Sequence, residues 1–319
     1  MLIRNHPNRL FVLLAVFILL ASCGGTDESQ PDSVARATME TLVSTEWLAK
    51  HLNDSDLIAL DCTVYMEMDS SGGMRAVSGR AKYEDGHIPS AGFADLMDDL
   101  CDVDSPLGFA MPTPEKFCEA MGKLGVGDGS RVVLYDAYNS VWAARVWWML
   151  RWVGFDQAAI LDGGLTAWTA EGRQLSTEPG DHQTKKLTLS LRPALIADRD
   201  EVFEAISDDA VHLIDAMPEP HYWGKMAMYG RPGHIPGAEN ISAMALLDES
   251  GRYKSHEELT AMLTGNSSDR YITYCGAGVA ASSNAFIMTR LGFSDVAVYM
   301  GSLQEWAADP ANPLVTDEP

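Results

Sequence analysis

Arg270-Tyr-Ile-Thr-Tyr-Cys275-Gly-Ala-Gly-Val-Ala-Ala-Ser-Ser-Asn284 is the stretch from which the rest of the chain can be read. Residues 270–274 form a short apolar run, the pattern of a buried strand, and the run ends on a cysteine. Gly276 and Gly278 follow at once. Residues 279–291 then carry a helical pattern, with Ala281, Ala285 and Met288 on one face and Gly292 as a stop signal. In such an order the loop's backbone N–H groups and the positive end of the helix can face the sulfur. Both favour the thiolate, which is the reactive form of cysteine. The alternative is that Cys275 is an inert core thiol, the common fate of a free cysteine.

The same plan occurs twice. The first half runs through Leu57-Ile-Ala-Leu-Asp61, Gly86-His87-Ile-Pro-Ser-Ala91 and Arg131-Val-Val-Leu-Tyr-Asp136. A helix predicted over 141–153 follows, then Gly154-Phe155, Ala158-Ala-Ile-Leu161 and Asp162-Gly-Gly-Leu-Thr-Ala-Trp168. The second half repeats the series as Val211-His-Leu-Ile-Asp215, Gly233-His234-Ile-Pro-Gly-Ala238 and the Cys275 stretch. Gly292-Phe293, Val296-Ala-Val-Tyr299 and Met300-Gly-Ser-Leu-Gln-Glu-Trp306 close it. Asp136 precedes Phe155 by 19 residues and Cys275 precedes Phe293 by 18. A repeat this long indicates duplication. Short apolar strands alternating with helices predict an α/β fold, a parallel sheet covered on both faces in each half. Reactive residues of such sheets lie at the carboxyl ends of strands, where Asp136 and Cys275 both fall.

Residues 1–22 read as an export leader. Arg4 and Arg9 give a positive start, and residues 10–20 are an unbroken apolar run, short for a membrane span. Leu20-Ala-Ser-Cys23-Gly24 resembles a bacterial lipobox, which implies cleavage before Cys23, lipidation of its sulfur and a protein anchored at the periplasmic side of a bacterial membrane. Residues 23–39 read as a flexible tether, 40–175 as an N-terminal domain, 176–195 as a linker and 196–319 as a C-terminal domain. Loss of the leader takes the formal charge from −22 to −24, which argues against nucleic-acid or anionic-lipid binding. Cys62, Cys101 and Cys118 accompany Cys275, with no Cys or His spacing that predicts a metal site. The tryptophans of residues 141–153 (Trp142, Trp147, Trp148 and Trp152) read as packing, and the matched His87 and His234 as turn-holding residues.

GHIPSA, GHIPGA, the VVLYDAYNSVWAARVWWMLRWVGF and LDGGLTAW blocks, YCGAGVAAS and VYMGSLQEW together resemble the tandem-domain rhodanese family, the thiosulfate and 3-mercaptopyruvate sulfurtransferases. The resemblance spans Val43 to Trp306. It implies two tandem rhodanese-like domains, the N-terminal one catalytically silent, with Asp136 at the place of Cys275. It further implies a Cys275 persulfide drawn from a small anionic sulfur donor and passed to cyanide or a thiol, with no cofactor and no metal. Gly276, Ala277, Gly278, Val279, Ala280 and Ala281 would form the anion cradle.

Two departures stand out. Mercaptopyruvate enzymes typically carry hydroxyl residues in the loop and thiosulfate enzymes an Arg-Lys pair; here the loop is Gly276-Ala277-Gly278-Val279-Ala280. The family's Asp-x-Arg-x-x-x-Arg is here Asp215-Ala-Met217-Pro-Glu-Pro-His221, without either arginine. His221, Lys225 and Arg231 are the candidate replacement cations. The departures leave a second reading, a degenerate pair that binds sulfur without turnover. A phosphatase-type Cys-x5-Arg loop is disfavoured because Ala281 stands at the arginine's place.

Overall fold

Apolar runs bounded by turn residues become the strands of two parallel sheets. The structure is a computed structural model that describes residues 39–316 except 69, 71, 72 and 264. The leader, the lipidation site Cys23 and the tether up to residue 38 lie outside the described residues. The strands of the first half are β1 (Leu42–Val43), β2 (Leu57–Asp61), β3 (Val64–Met68), β4 (Met74–Ser78), β5 (Gly92–Phe93), β6 (Arg131–Tyr135) and β7 (Ala158–Leu161). Those of the second are β8 (Ile196–Ala197), β9 (Val211–Asp215), β10 (Glu239–Asn240), β11 (Arg270–Tyr274) and β12 (Asp295–Tyr299).

The sheets run β1-β7-β6-β2-β5 and β8-β12-β11-β9-β10, so each strand of one has a counterpart at the same place in the other. Neighbours within both sheets are parallel. An antiparallel hairpin of β3 and β4 belongs, among the described residues, to the first half alone. Central strands are buried along nearly their whole length, which explains why they read as continuous apolar runs rather than alternating ones.

Smaller features repeat too. The hydroxyls of Tyr135 and Tyr274 accept the N–H groups of Ile88 and Ile235 at 3.3 and 3.0 Å. His87 Nδ1 donates to the Tyr83 carbonyl at 2.6 Å and His234 Nδ1 to that of Tyr222 at 2.8 Å. Each imidazole stacks on the same tyrosine, with centroids 3.9 and 3.6 Å apart. Both histidines therefore hold turns, as their symmetry predicts.

The helix Val141–Trp152 is buried along almost its whole length and packs on the helix Val279–Arg290. Trp147 meets Phe286 edge-on at 4.8 Å, and its Nε1 donates to the Ala158 carbonyl at 2.9 Å. Trp147 thus lies at the seam between the halves. Residues 176–195, read as a linker, lie along the first half as a strap. Ser176 exchanges backbone bonds with His87, Lys185 N–H bonds Gly122, and Ser190 N–H bonds Val153.

Asp61 and Asp215 end the equivalent strands β2 and β9. Asp215 Oδ1 accepts the Met217 N–H at 2.8 Å, while its Oδ2 has no partner among the described residues. Burial pushes the Asp215 carboxyl up to about 7 from an ordinary 3.8. Because the folded value is the raised one, ionisation opposes folding. The cost this group adds is absent below about pH 4, grows as pH rises and levels off above about pH 7. Asp215→Asn, which stays neutral, is expected to be more stable than the wild type at pH 8 by up to about 4 kcal/mol, with the advantage shrinking toward pH 4. Urea unfolding at pH 4, 6 and 8 checks this, and a pH-independent difference would contradict it.

Candidate active site

The loop after β6 shows what this supersecondary unit does with an anion. Asp136 is 1% exposed, and its carboxylate accepts five backbone N–H groups. Tyr138, Asn139 and Ser140 donate to Oδ1 at 3.1, 3.1 and 2.9 Å, and Trp142 and Ala143 to Oδ2 at 3.0 and 3.2 Å. Burial raises its pKa and these donors oppose the rise. Ser140, left-handed at φ 59°, turns the loop into the helix so that the first helical amides point inward.

The loop after β11 is built alike. Cys275 follows the strand, 3% exposed and unpaired with any other cysteine. Gly278, left-handed at φ 74°, heads the helix Val279–Arg290 as Ser140 heads its counterpart. Leu303 and Gln304 N–H groups bond the carbonyls of Cys275 and Gly276, both at 3.0 Å. Leu165 and Thr166 do the same for Asp136 and Ala137 at 2.9 and 3.2 Å. Ser302 adds a side-chain brace: its Oγ accepts the Cys275 N–H at 3.2 Å and donates to the Tyr299 carbonyl at 2.7 Å. It sits at φ 51°, where its first-half counterpart is Gly164 at φ 55°. The amides of Val279, Ala280 and Ala281 begin the helix and so have no acceptor within it. Among the described residues no loop amide bonds the thiol Sγ.

Of the cations read as candidates, Arg231 is committed elsewhere. Its Nη1 and Nη2 donate to the Asp309 and Asn312 carbonyls, both at 2.9 Å, which pins the segment after the last helix. Lys225 is exposed. His221 is half-buried on the short helix Glu219–Tyr222, with its Nδ1 unpartnered. The residue of this segment that reaches the cysteine loop is Tyr229. Its phenol lies over Gly276 so closely that a Cβ there would collide with it. Burial, and then Cys275, push its pKa up to about 12. Among the described residues its hydroxyl has no hydrogen-bond partner. Nothing in the local sequence marks Tyr229, because 46 residues separate it from Cys275.

The first half also reaches this site. Gln304 exchanges two bonds with Gly108, its Oε1 accepting at 3.0 Å and its Nε2 donating at 2.9 Å. Arg145, in the middle of the tryptophan helix, donates from Nη1 to the Gly278 carbonyl at 3.3 Å. The signal of this in the sequence is a charge within a mainly apolar helical segment, shared with Arg151 near its end.

Similarity to known proteins agrees with this architecture. The rhodanese-like domain model matches twice, over residues 44–171 and 198–309. A probable 3-mercaptopyruvate sulfurtransferase of Pseudomonas aeruginosa is 34% identical over 294 residues, 87% of this chain and 98% of that protein. The thiosulfate sulfurtransferase of Rattus norvegicus is 32% identical over 286 residues, 86% of this chain and 94% of that protein. The crystal structure of SseA from Escherichia coli, described as a 3-mercaptopyruvate sulfotransferase, superposes with a TM-score of 0.74 at 30% identity, covering 83% of this chain and 99% of that one. With one such domain in each half, the chain belongs to the rhodanese family.

Proposed function

We propose that the protein is a sulfurtransferase that carries a sulfane sulfur on Cys275, taking it from thiosulfate or 3-mercaptopyruvate and giving it to cyanide or a thiol. The observation that carries this reading is the pair of equivalent loops. In the first half the bound anion is an oxygen two bonds beyond the Cβ of Asp136. The Cys275 sulfur lies one bond beyond its Cβ, and a persulfide adds the second. Its outer, anionic sulfur then falls at the depth at which the first loop holds a carboxylate oxygen. The cradle of Gly276 to Ala281 is therefore matched to the persulfide rather than to the resting thiol.

The reaction follows from this. The Cys275 thiolate attacks the outer sulfur of the donor, and an S–S bond forms. From thiosulfate, sulfite departs with the electron pair of the broken bond. From 3-mercaptopyruvate, the carbon–sulfur pair stays on carbon, which takes a proton to give pyruvate. An acceptor nucleophile then attacks the outer sulfur and releases the thiolate. The first half is silent because its cradle already holds a carboxylate.

The resemblance of Leu20-Ala-Ser-Cys23-Gly24 to a lipobox supports a lipid anchor on Cys23 and a place at the periplasmic side of a bacterial membrane. Labelling cells with an alkyne fatty acid is expected to mark the wild type and not Cys23→Ala; equal labelling would sink the anchor.

Intact mass of the protein after treatment with either donor is expected to rise by one sulfur, and not at all in Cys275→Ser. Absence of the gain with both donors would count against the proposal. A gain that no cyanide or thiol can discharge would instead fit sulfur binding without turnover. Tyr229, with its free hydroxyl at the cysteine loop, suits a hydrogen bond to the anionic donor. Tyr229→Phe is expected to raise the KM for thiosulfate about tenfold, the loss of one hydrogen bond to a charged group, with kcat changed far less. Steady-state kinetics check this.

A further inference from the structure

We propose that Arg145, a residue of the silent half, is the cation of the Cys275 site, a positioning residue that acts through the loop and holds anionic sulfur there. The inference rests on the reading of Cys275 as the sulfur carrier.

The first observation is a buried charge without a counter-charge. Arg145 is 1% exposed. Its Nη2 donates to the Phe109 carbonyl at 2.7 Å and lies 3.3 Å from the Met111 sulfur. Its Nη1 reaches the Gly278 carbonyl at 3.3 Å and the sulfur of Met300. Its Nε has no partner. Every partner is neutral, and among the described residues no carboxylate pairs with it. Such burial is strongly disfavoured unless an anion completes the site. Burial lowers the guanidinium to about 10, which leaves it charged at neutral pH, and the groups that favour its charge are Cys275 first and Cys101 second.

The second observation is a break in the repeat. Counted from the left-handed residue that heads each helix, Arg145 and Ser283 are both fifth in the helix. Arg145 crosses the seam to the loop of Cys275. Ser283 holds only a hydroxyl contact, to Tyr253 at 2.9 Å. The residue equivalent to Arg145 is thus neutral, on the helix that packs against the half whose cradle already contains a carboxylate. The half whose cradle contains a cysteine is faced by a cation. Since Gly276 and Ala277 carry no charge, Arg145 supplies from across the seam what the loop lacks.

Alkylation of Cys275 by anionic iodoacetate and by neutral iodoacetamide reads the field at the sulfur without requiring turnover. The full chain is used, and the Cys275 peptide is followed by mass spectrometry. The ratio of the iodoacetate to the iodoacetamide rate is expected to fall about tenfold in Arg145→Met, a modest share of what local fields do to charged reagents. It is expected to recover in Arg145→Lys, which a purely packing role would not produce. An unchanged ratio in Arg145→Met overturns the proposal. If that variant does not fold, the wild type decides. A field from a buried cation survives about 1 M salt, whereas a ratio that drops there to that of free cysteine comes from exposed charges and overturns the proposal. Sulfur loading of the wild type is measured separately, so failure of the carrier reading stays distinct from failure of this one.

Discussion

A ring of backbone N–H groups at the end of a parallel strand needs an anion, and both halves are arranged around that need. The strand delivers one side chain to the mouth of the loop. A left-handed residue, Ser140 or Gly278, turns the chain into a helix whose first amides have no acceptor of their own. A second segment, Leu165-Thr166 or Leu303-Gln304, clamps the carbonyls behind the loop so that its amides face the other way. With Asp136 in place, five donors offset the cost of burying a carboxylate at 1% exposure. With a cysteine in place the same frame becomes a site for a negatively charged sulfur.

The halves also complete one another. Segments that follow β5 and β10 cross the seam and cover the opposite loop. Gly108 does so over the Cys275 side, through Gln304. Arg252 and Tyr253 do so over the Asp136 side: the Tyr253 N–H bonds Asp162 at 2.9 Å, and Arg252 pairs with Glu171 at 2.9 Å. The first half is therefore a structural part of the site, because it covers the cysteine loop, where Cys275 is 3% exposed. Burial strengthens the electrostatic interactions there.

Sequence reasoning reached the parts of this that are periodic or local. The buried strands, the two helices and the equivalence of Asp136 with Cys275 are all carried by runs of fewer than twenty residues and by their repetition. Tyr229 was not legible, since a phenol joins a site 46 residues downstream only through the path of an irregular segment. Arg145 was hidden among tryptophans that read, correctly, as packing. Arg231 shows the opposite difficulty: a cation near a glycine turn looks like an anion ligand until its guanidinium is found on the carbonyls of Asp309 and Asn312. Contacts across the seam leave no periodic trace in either partner.

The charge balance gives the last step. A chain with a formal charge of −22 repels small anions at long range, yet surface charges are screened within about 8 Å at physiological salt. What a donor meets on arrival is set instead by groups that solvent cannot screen. Around Cys275 these are a set of helix-head amides, one phenol and one buried guanidinium, with no carboxylate paired to that guanidinium among the described residues. Amides and a phenol hold an anion through hydrogen bonds, and a buried guanidinium adds to them a full positive charge. On the proposal made above, the field of that guanidinium acts more strongly on a dianion such as thiosulfate than on a monoanion such as 3-mercaptopyruvate, because the interaction scales with the charge it meets.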